Sequence, residues 1–447
     1  MALELHTSYT DALWRPMTQY RTALAPMLIE RGDGCFVWDT HGNRYLDAMS
    51  GLWCVNVGYG RRTIVEAAGE QMARLAYASP FRPAPVTLEL AGTLARMLPG
   101  DLEHTYFTNS GSEAVETAIK IARQAQQQHF PGESRYKIIA RYRAYHGWTL
   151  GSLSATGQVE RKSRFEPLLG GFVHVSPPAC EDCAVGAHER CTFDPIDEIE
   201  RCIRYEGAHT IAAVLAEPII GGGGVIEPPD DYFPRLRALC DRNGILLIAD
   251  EVITGFGRTG AMFGCEHWPD GLPDIITLAK GLSSGYQPIG ATAVSHRVFE
   301  QFYGDPGEHR EFSQLSTFGG HPVAAAASLA NIAIIEGENL VASSAAGGAW
   351  LRNEITGWRH PAIAQVRGRG LMIGVELARN GQRCSEADAD RVIARTKENG
   401  VLIGRNAATV GGMGNVLTLA PPLSISDAEL CALADALRVG LSVLEDR

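Results

Sequence analysis

Short apolar runs alternate with amphipathic stretches through the middle of the chain. The stretch Tyr232–Arg242 has its apolar residues at helical spacing and therefore predicts an α-helix. Runs rich in aliphatic residues predict buried strands over Tyr136–Ala140, Ile211–Ala216, Ile245–Ala249 and Asp274–Leu278. Strands separated by helices indicate a mostly parallel sheet with helices on both faces. In such a sheet the chemistry gathers at the carboxyl ends of the strands.

The pattern changes after about Gly319, where shorter strands and Ala-rich helices follow. The elements predicted there are a helix over Pro322–Leu351, a strand over Gly370–Glu376, a helix after Ser385 and a closing helix over Ser426–Leu444. Near the N-terminus, Phe36–Trp38 and Arg44–Leu46 flank a turn and predict a β-hairpin.

The chain has 447 residues, enough for a large and a small domain. We predict an α/β fold whose large domain spans residues 61–319 and carries the mostly parallel sheet. A smaller α+β domain is predicted over residues 320–447, and the N-terminal segment 1–60 is assigned to that smaller domain.

A carboxylate and a lysine follow two of the predicted strands. Leu247-Ile-Ala-Asp250 runs from an apolar strand into an acid, and Ile275-Ile-Thr-Leu-Ala-Lys280 ends in a lysine thirty positions later. A buried carboxylate needs a cationic partner, and a protonated pyridine nitrogen is one. A desolvated lysine has a lowered pKa, so its amine attacks an aldehyde more readily. Alone, each would more often be a cap or a surface residue; together, at the ends of adjacent strands, Asp250 and Lys280 fit a pyridoxal site.

An anion site is predicted at Ser110-Gly111-Ser112. This sequence follows the short strand His104–Phe107 and opens a helix that continues through Lys120. Free backbone N–H groups, hydroxyls and the positive end of the helix dipole favour an anion such as a phosphate. The same residues are equally typical of a plain capping box.

Composition and charge exclude several classes of partner. Apolar residues make up 45% and charged residues 20% of the chain, as is usual for a globular protein with a large core. The net charge of −11 argues against nucleic-acid binding, because phosphate backbones need clustered Lys and Arg. We find no secretory signal and no apolar run of about 18 residues, so we expect no membrane span and a cytoplasmic location.

The ten cysteines are scattered, which favours reduced thiols over a disulfide framework. Cys180, Cys183 and Cys191, with His188 near them, are a candidate set of metal ligands. A structural site needs four ligands and a second CxxC is missing, so we favour a surface loop and predict no bound metal.

Several motifs taken together resemble the class III aminotransferases. They are Asn109-Ser-Gly-Ser-Glu-Ala114, Tyr145-His-Gly147, Glu217-Pro218, Asp250-Glu-Val-Ile-Thr-Gly-Phe-Gly-Arg-Thr-Gly260, Leu278-Ala-Lys-Gly281 and Thr317-Phe-Gly-Gly-His-Pro322. The likeness extends from Trp14-Arg-Pro16 to Ala420-Pro-Pro-Leu423. It implies a fold-type-I enzyme that uses pyridoxal 5'-phosphate. It also implies a homodimer whose active sites are shared between subunits, with a tetramer as the alternative.

The resemblance further implies a role for each motif residue. Lys280 holds the cofactor as a Schiff base and moves a proton between substrate and cofactor, and Asp250 keeps the ring nitrogen protonated. The implied phosphate contacts are Ser110, Gly111, Ser112 and, from the neighbouring subunit, Thr317. The residues implied around the ring are Tyr145 and Val252 on its two faces, with His146 and Glu217 beside it.

Within the family, Leu52-Trp-Cys-Val-Asn-Val-Gly-Tyr-Gly60 resembles the ω-transaminases that pass amino groups from amines or ω-amino acids to pyruvate. There Trp53 lines the substrate pocket, although a buried core tryptophan is equally common. The branch that uses ornithine or 4-aminobutyrate has an acid where this chain has Gly222 and an arginine where it has Thr418. Both differences favour pyruvate over 2-oxoglutarate.

Two arginines are candidates for binding a substrate carboxylate. Arg405 follows the predicted strand Val401–Ile403 and precedes a glycine-rich loop. Arg82 follows Phe81 at a position where amine-type relatives are often aromatic. Phe81 and Arg82 are therefore expected in the pocket, which would then accept an anionic donor such as a β-amino acid or an aminosulfonate.

Rival functions stay open at this point. The same Schiff base could serve elimination, racemisation or mutase chemistry, because fold and cofactor are shared and only the pocket differs. An enzyme that uses 2-oxoglutarate or acts in biotin synthesis is a further alternative, although biotin-pathway relatives tend to have paired tryptophans where this chain has Leu52-Trp53. A non-enzymatic binding protein is disfavoured, because both Lys280 and Asp250 are present.

Overall fold

A computed structural model describes residues 12–21, 25–180, 192–406 and 409–445. Its strands are β1 Ile29–Asp33, β2 Phe36–Asp39, β3 Arg44–Asp47, β4 His104–Thr108, β5 Lys137–Arg141, β6 Phe172–Val175, β7 Ile211–Ala216, β8 Leu246–Asp250, β9 Ile275–Leu278, β10 Gly290–Val294, β11 Ile363–Arg369, β12 Met372–Arg379, β13 Gln382–Arg383, β14 Val401–Leu402, β15 Gly404–Arg405 and β16 Val416–Leu419.

The α-helices are α1 Ser50–Trp53, α2 Arg62–Arg74, α3 Pro85–Met97, α4 Gly111–His129, α5 Leu150–Ala155, α6 Val159–Lys162, α7 Pro195–Glu206, α8 Tyr232–Asn243, α9 His296–Phe299, α10 Pro322–Gly337, α11 Leu340–Gly357, α12 Glu386–Glu398 and α13 Asp427–Leu441. Short 3-10 helices cover Ala208–Thr210, Gly264–His267, Pro269–Gly271, Lys280–Leu282, Glu300–Phe302 and Ser442–Leu444. Over the described ranges, none of the helices combines the length and the apolar character that crossing a membrane requires.

A seven-stranded sheet forms the centre of the fold, in the order β4-β10-β9-β8-β7-β5-β6. Neighbours from β9 to β6 pair in parallel, whereas β10 runs antiparallel to both β9 and β4. Every residue of β7 is buried, as expected for a strand whose two faces are both covered by helices. The predicted α/β fold with a mostly parallel sheet is confirmed.

The strands that carry the predicted site lie side by side. In the parallel pairing of β8 with β9, Asp250 is opposite Thr277. Parallel strands present their carboxyl ends at the same edge of a sheet, so the residues that follow β8 and β9 meet there.

The two ends of the chain share a second sheet, in the order β1-β2-β3-β14. Strands β2 and β3 pair antiparallel as the predicted hairpin, and β3 pairs in parallel with β14 (Val401–Leu402). A third sheet, in the order β11-β12-β16-β15, lies entirely in the C-terminal part of the chain. The hairpin is therefore joined through β14 to the C-terminal residues.

The predicted single helix over Pro322–Leu351 is wrong. Two helices, α10 and α11, occupy this stretch, and α11 extends to Gly357. The break lies at Asn339, whose φ of 53° is in the left-handed region and ends the run of helical hydrogen bonds. The Ala-rich composition continues across the break, so the pattern of apolar residues does not reveal it.

A fully buried arginine connects distant parts of the chain. Arg258 Nη1 donates to the carbonyls of Leu371 (3.0 Å) and Pro421 (2.6 Å). Its Nη2 donates to Ser50 Oγ (3.2 Å) and to Asn56 Oδ1 (2.8 Å). Burial lowers the pKa of this guanidinium to about 9. One side chain thus links the segment after β8 to the N-terminal segment and to two C-terminal segments.

Candidate active site

Asp250 is the last residue of β8 and is held by three hydrogen bonds. Its Oδ2 lies 2.7 Å from His146 Nδ1, and its Oδ1 accepts from Thr277 Oγ1 at 3.0 Å and from the Val252 N–H at 3.2 Å. Only 4% of the residue is exposed. A carboxylate so fully buried and so fixed in direction is suited to binding one cationic or proton-donating group of a ligand.

His146 is the hydrogen-bond partner of Asp250 Oδ2. Its backbone N–H donates to Thr156 Oγ1 at 2.9 Å, which fixes the residue. Because the facing carboxylate oxygen can only accept, His146 Nδ1 carries the proton of that contact. Its Nε2 is buried and has no hydrogen-bond partner among the described residues. His146 thus orients Asp250 from the protein side.

Lys280 lies two residues beyond β9 and lines the same cavity as Asp250. Its φ of 42° is in the left-handed region, which is unusual for a residue with a side chain and is found at functional sites. Burial lowers the pKa of its amine, while the nearby Cys54, Asp250 and Glu217 act in the opposite direction. A larger fraction of this amine is therefore neutral and nucleophilic than for a lysine in water.

The start of helix α4 (Gly111–His129) forms one wall of the cavity. Ser110 is the N-cap of this helix, and its side chain accepts the Glu113 N–H at 3.2 Å, so this residue does cap the helix. Ser112 Oγ accepts the Trp148 N–H at 3.0 Å. A Cβ added at Gly111 would lie 2.8 Å from Val252 Cγ1, so only glycine keeps this wall open. The N–H groups and the positive end of a 19-residue helix thus face the cavity.

Glu217 and Tyr145 also line the cavity. Glu217 Oε1 accepts the Tyr145 N–H at 3.0 Å, and Oε2 accepts the Gly221 N–H at 2.9 Å. Burial, with a smaller effect of the Asp250 charge, raises the pKa of Glu217. Burial also raises the pKa of the Tyr145 hydroxyl to about 12, so the ring is neutral. Glu217 thus fixes the backbone that presents the Tyr145 ring.

These residues enclose a cavity of about 370 Å³. Of the predicted site residues, those that line it are Ser110, Gly111, Ser112, Tyr145, His146, Glu217, Asp250, Val252 and Lys280. Nine predicted residues from five separate stretches of sequence are thus brought together around one space, which is large enough for a phosphorylated aromatic ring.

Five predicted residues are not among those that line the cavity, and four of them are Trp53, Phe81, Arg82 and Thr317. Trp53 is buried in a hydrophobic cluster next to Cys54, which lines the cavity in its place. Phe81 is 80% exposed, and Arg82 and Thr317 are also exposed. The placement of Phe81 and Arg82 at the substrate stays a prediction, because the segment that carries them faces solvent in the single subunit.

Arg405 is also absent from the cavity wall. Its Nε lies 2.6 Å from Asp390 Oδ1, its Nη2 lies 3.2 Å from Asp390 Oδ2, and its Nη1 lies 3.1 Å from Glu386 Oε2. Both acids belong to helix α12 (Glu386–Glu398). To bind a substrate carboxylate, Arg405 would first have to leave these ion pairs.

Sequence reasoning missed several residues of the site. Cys54, Ile253, Ser283 and Gln287 line the cavity although no predicted motif role included them. Thr277, which holds Asp250, had a visible signal: it is the lone polar residue in the apolar strand Ile275–Leu278.

The candidate metal cluster was placed at Cys180, Cys183, His188 and Cys191. Cys183, His188 and Cys191 lie outside the described residues. In the described part of the chain, no group of three or more His, Cys, Asp or Glu side chains is arranged to hold a metal ion.

Comparison with known proteins identifies relatives of this chain. The family described as "Aminotransferase class-III" matches residues 18–440. "Uncharacterized aminotransferase YhxA" of Bacillus subtilis (strain 168) is 48% identical over 409 residues, which cover 90% of this chain and 89% of that protein. "Taurine--pyruvate aminotransferase" of Bilophila wadsworthia is 37% identical over 449 residues, which cover 97% of this chain and 96% of that protein. A solved (S)-enantioselective omega-transaminase from Thermomicrobium roseum is 40% identical and superposes with a TM-score of 0.87, covering 97% of this chain and 96% of that one.

Proposed function

The chain belongs to the class III aminotransferases, and we propose that it transfers an amino group from an amine or an ω- or β-amino acid to pyruvate, using pyridoxal 5'-phosphate. Enzymes of this class depend on that cofactor. The observation that carries the proposal is the cavity with a buried, oriented Asp250 in one wall and a lysine of lowered pKa, Lys280, in another.

The cavity fits pyridoxal phosphate group by group. Asp250 would hold the proton of the ring nitrogen at a carboxylate oxygen. Tyr145 and Val252 would contact the two faces of the ring. The amides of Gly111 and Ser112 at the start of α4, with the Ser110 and Ser112 hydroxyls, would hold the phosphate. A methyl group at Gly111 would meet Val252, which agrees with a narrow space between helix and ring.

When bound, the cofactor supplies an aldehyde that carries the amino group and a ring that accepts an electron pair. The chain supplies the rest. Burial lowers the pKa of Lys280, so its amine would be able to hold the cofactor's aldehyde carbon and to accept a proton. Asp250, fixed by His146 and Thr277, would present its carboxylate to the ring nitrogen. The apolar faces of Tyr145 and Val252 would exclude water from the reacting atoms.

Pyruvate as acceptor is supported by a relative and by two positions of this chain. The relative from Bilophila wadsworthia is a taurine–pyruvate aminotransferase. Gly222 has no side chain with which to neutralise an arginine, and an added Cβ there would lie 3.6 Å from Tyr145 Cβ. Thr418 is buried, and its hydroxyl lies 3.5 Å from Met49 Sδ. Arg405 remains the proposed anchor for the carboxylate of the keto acid.

A homodimer with shared sites is part of the proposal. The Tyr77 hydroxyl donates to the Thr317 carbonyl at 3.1 Å, and the Tyr77 ring is 6.1 Å from the ring of Phe318. Tyr77 and Phe318 are both exposed on the single subunit, as are Phe81 and Arg82. Exposed aromatic patches of this kind are typical of subunit interfaces. In a dimer formed there, Thr317 would contact the phosphate that the partner subunit binds. Phe81 and Arg82 would contact the substrate in the partner's site.

The direct test combines cofactor mapping with an amino-donor screen. Borohydride treatment followed by peptide mapping should find the cofactor covalently fixed to Lys280 in the wild type. Lys280→Ala should abolish this labelling, and Lys120→Ala, which changes an exposed lysine of α4, should leave it intact. Purified enzyme should then form alanine from pyruvate with an amine or ω-amino acid donor. Labelling of a different lysine, or turnover without transfer of the amino group, would contradict the proposal.

A further inference from the structure

Residues 314–320 lie against the elements that lead into the phosphate cradle of their own subunit. At the start of this segment, the Tyr106 hydroxyl of β4 donates to the Gln314 carbonyl at 2.9 Å. At its end, Thr87 Oγ1 of α3 donates to the Gly320 carbonyl at 2.7 Å. Both ends of the segment are therefore anchored to the subunit that carries it.

A residue of the cavity wall holds the middle of the segment. Asn109 lines the cavity, and its Nδ2 donates to Ser316 Oγ at 2.9 Å. Ser316 directly precedes Thr317, whose carbonyl accepts from the Tyr77 hydroxyl at 3.1 Å. Tyr77 and the two residues that anchor the ends of the segment do not line the cavity. Of these contacts, the one made by Asn109 thus connects the cavity wall with the neighbour of Thr317.

A carboxylate fixes the direction of the Asn109 amide. Glu113 Oε2 accepts from the backbone N–H of Asn109 at 2.8 Å and from its Nδ2 at 3.0 Å. A carboxylate oxygen only accepts, so the amide nitrogen must face Glu113, and its second hydrogen is directed to Ser316. Glu113 lies in the first turn of α4, where its own N–H donates to Ser110 Oγ. One side chain thus joins the start of the cradle helix to the segment that carries Thr317.

Thr317 itself is directed away from the cavity of its own subunit. It is exposed and is not among the residues that line that cavity, and the next residue, Phe318, is 58% exposed. Hydrogen bonds weaken steeply when their distance or angle departs from the preferred geometry. A small shift of the Thr317 backbone is therefore enough to weaken a contact between its hydroxyl and a phosphate oxygen of the partner's cofactor.

We propose that Asn109 is a positioning residue for the cofactor site of the partner subunit, because through Ser316 it sets the place of Thr317. The inference rests on the proposed function, and in particular on the shared sites of the dimer. It goes beyond that function by naming the residue of one subunit that tunes the cofactor affinity of the other. Since Asn109 also lines its own cavity, each cavity wall is connected with the phosphate site of the partner.

The test places a substitution either in the subunit whose site is measured or in its partner. Heterodimers are purified by two different affinity tags, and one subunit carries Lys280→Ala, so that only the other subunit can be labelled at Lys280. The cofactor-free heterodimer is equilibrated with increasing pyridoxal 5'-phosphate and then reduced with borohydride. The amount of labelled Lys280 peptide gives the apparent Kd of one known site.

Ser316→Ala in the Lys280→Ala subunit, opposite the measured site, should raise the apparent Kd of that site by roughly threefold to tenfold, as for one lost hydrogen bond. The same substitution in the measured subunit should change the Kd by less than about twofold. Ser316→Thr keeps the hydroxyl and should retain the wild-type Kd. The matched control Ser313→Ala removes an exposed serine just before the segment and should match the wild type in both arrangements.

Asn109→Ala opposite the measured site should reproduce the loss caused by Ser316→Ala. Adding Ser316→Ala to it in the same subunit should raise the Kd by less than about twofold more, because both substitutions remove the same hydrogen bond. Full additivity of the two losses would overturn the connection through Ser316.

Thr317→Ala, measured in the same two arrangements, separates this inference from the proposed function. If Thr317→Ala raises the Kd opposite the measured site, but Ser316→Ala or Asn109→Ala does not, the shared sites stand and the positioning role is overturned. An equal loss for Ser316→Ala in both arrangements would show a general structural effect and would also overturn it. No effect of Thr317→Ala opposite the measured site would contradict the shared sites and the inference together.

Discussion

Asp250→Asn tests the central electrostatic element of the site. The substitution preserves shape: the amide oxygen can still accept from Thr277 Oγ1 and the Val252 N–H, which now contact Asp250 Oδ1. The new amide N–H₂ would face His146 Nδ1, which becomes an acceptor if the proton moves to Nε2. That atom is buried without a partner among the described residues, so it has room for a proton. We therefore expect a folded protein that still binds the cofactor.

The magnitude follows from the lost charge. Two unit charges about 3 Å apart interact by about 5.5 kcal/mol at an effective dielectric constant of about 20. This value is an upper bound, because the amide dipole replaces part of the interaction. Loss of one preorganised electrostatic group in other enzymes costs about 3 to 4 kcal/mol. We expect the single-turnover rate of proton removal from the donor to fall by about 10²- to 10³-fold.

The assay is a stopped-flow half-reaction with saturating donor and no keto acid. Thr277→Val is the matched control, since it removes one hydrogen bond to Asp250 and keeps the charge. We expect its rate to fall by about tenfold or less. A rate for Asp250→Asn within about threefold of the wild type, with the cofactor bound, would refute the role of the Asp250 charge.

Three further predictions concern Lys280, the dimer and Arg405. The pKa of Lys280 is lower in the folded protein than in the unfolded chain. At pH values between these two pKa values, the unfolded state therefore binds more protons than the folded state. The cost of burying this amine is therefore full below the folded pKa and disappears as the pH rises toward about 10.4. Lys280→Met should accordingly raise the melting temperature of the cofactor-free protein at neutral pH, with a gain that shrinks at alkaline pH; a gain independent of pH would contradict this. If Thr317 completes the partner's site, a heterodimer of a Thr317→Ala subunit and a Lys280→Ala subunit contains one intact site. Mixing the two variants should therefore restore wild-type cofactor affinity at that site. A failure at every mixing ratio would count against shared sites. Asp390→Asn should lower the KM for pyruvate by about twofold to fivefold, because it weakens the ion pair by which exposed Asp390 holds half-buried Arg405. An unchanged KM would argue that Arg405 does not serve the keto acid.

The sequence predicts the centre of the site better than its surroundings. Asp250 and Lys280 each follow an apolar strand, and parallel strands end at a common edge, so their meeting follows from the order of elements. The start of α4 is likewise predicted by a strand followed directly by Ser110-Gly111. Each of these signals is local in the sequence, and the topology of an α/β fold brings the residues concerned close together.

Other parts of the molecule depend on packing that no local pattern records. The break at Asn339 lies inside an Ala-rich stretch whose composition is helical on both sides. Phe81 and Arg82 were expected in the pocket, but their place is set by a segment that faces outward in one subunit. These positions are determined by how segments of the chain pack against one another and by how subunits pack against one another.

The buried Arg258 has a consequence for how the chain can be divided. The cost of dehydrating its guanidinium is offset by four acceptors, which come from the N-terminal segment and from the C-terminal residues Leu371 and Pro421. A fragment that ends near residue 319 would therefore bury a charge that lacks two of its acceptors, or expose it together with the core around it. We expect such a fragment to fail to fold alone and to recover structure only when the missing C-terminal piece is added. Protease nicks in exposed loops should accordingly leave the pieces associated, and the intact chain should unfold in one cooperative step rather than domain by domain.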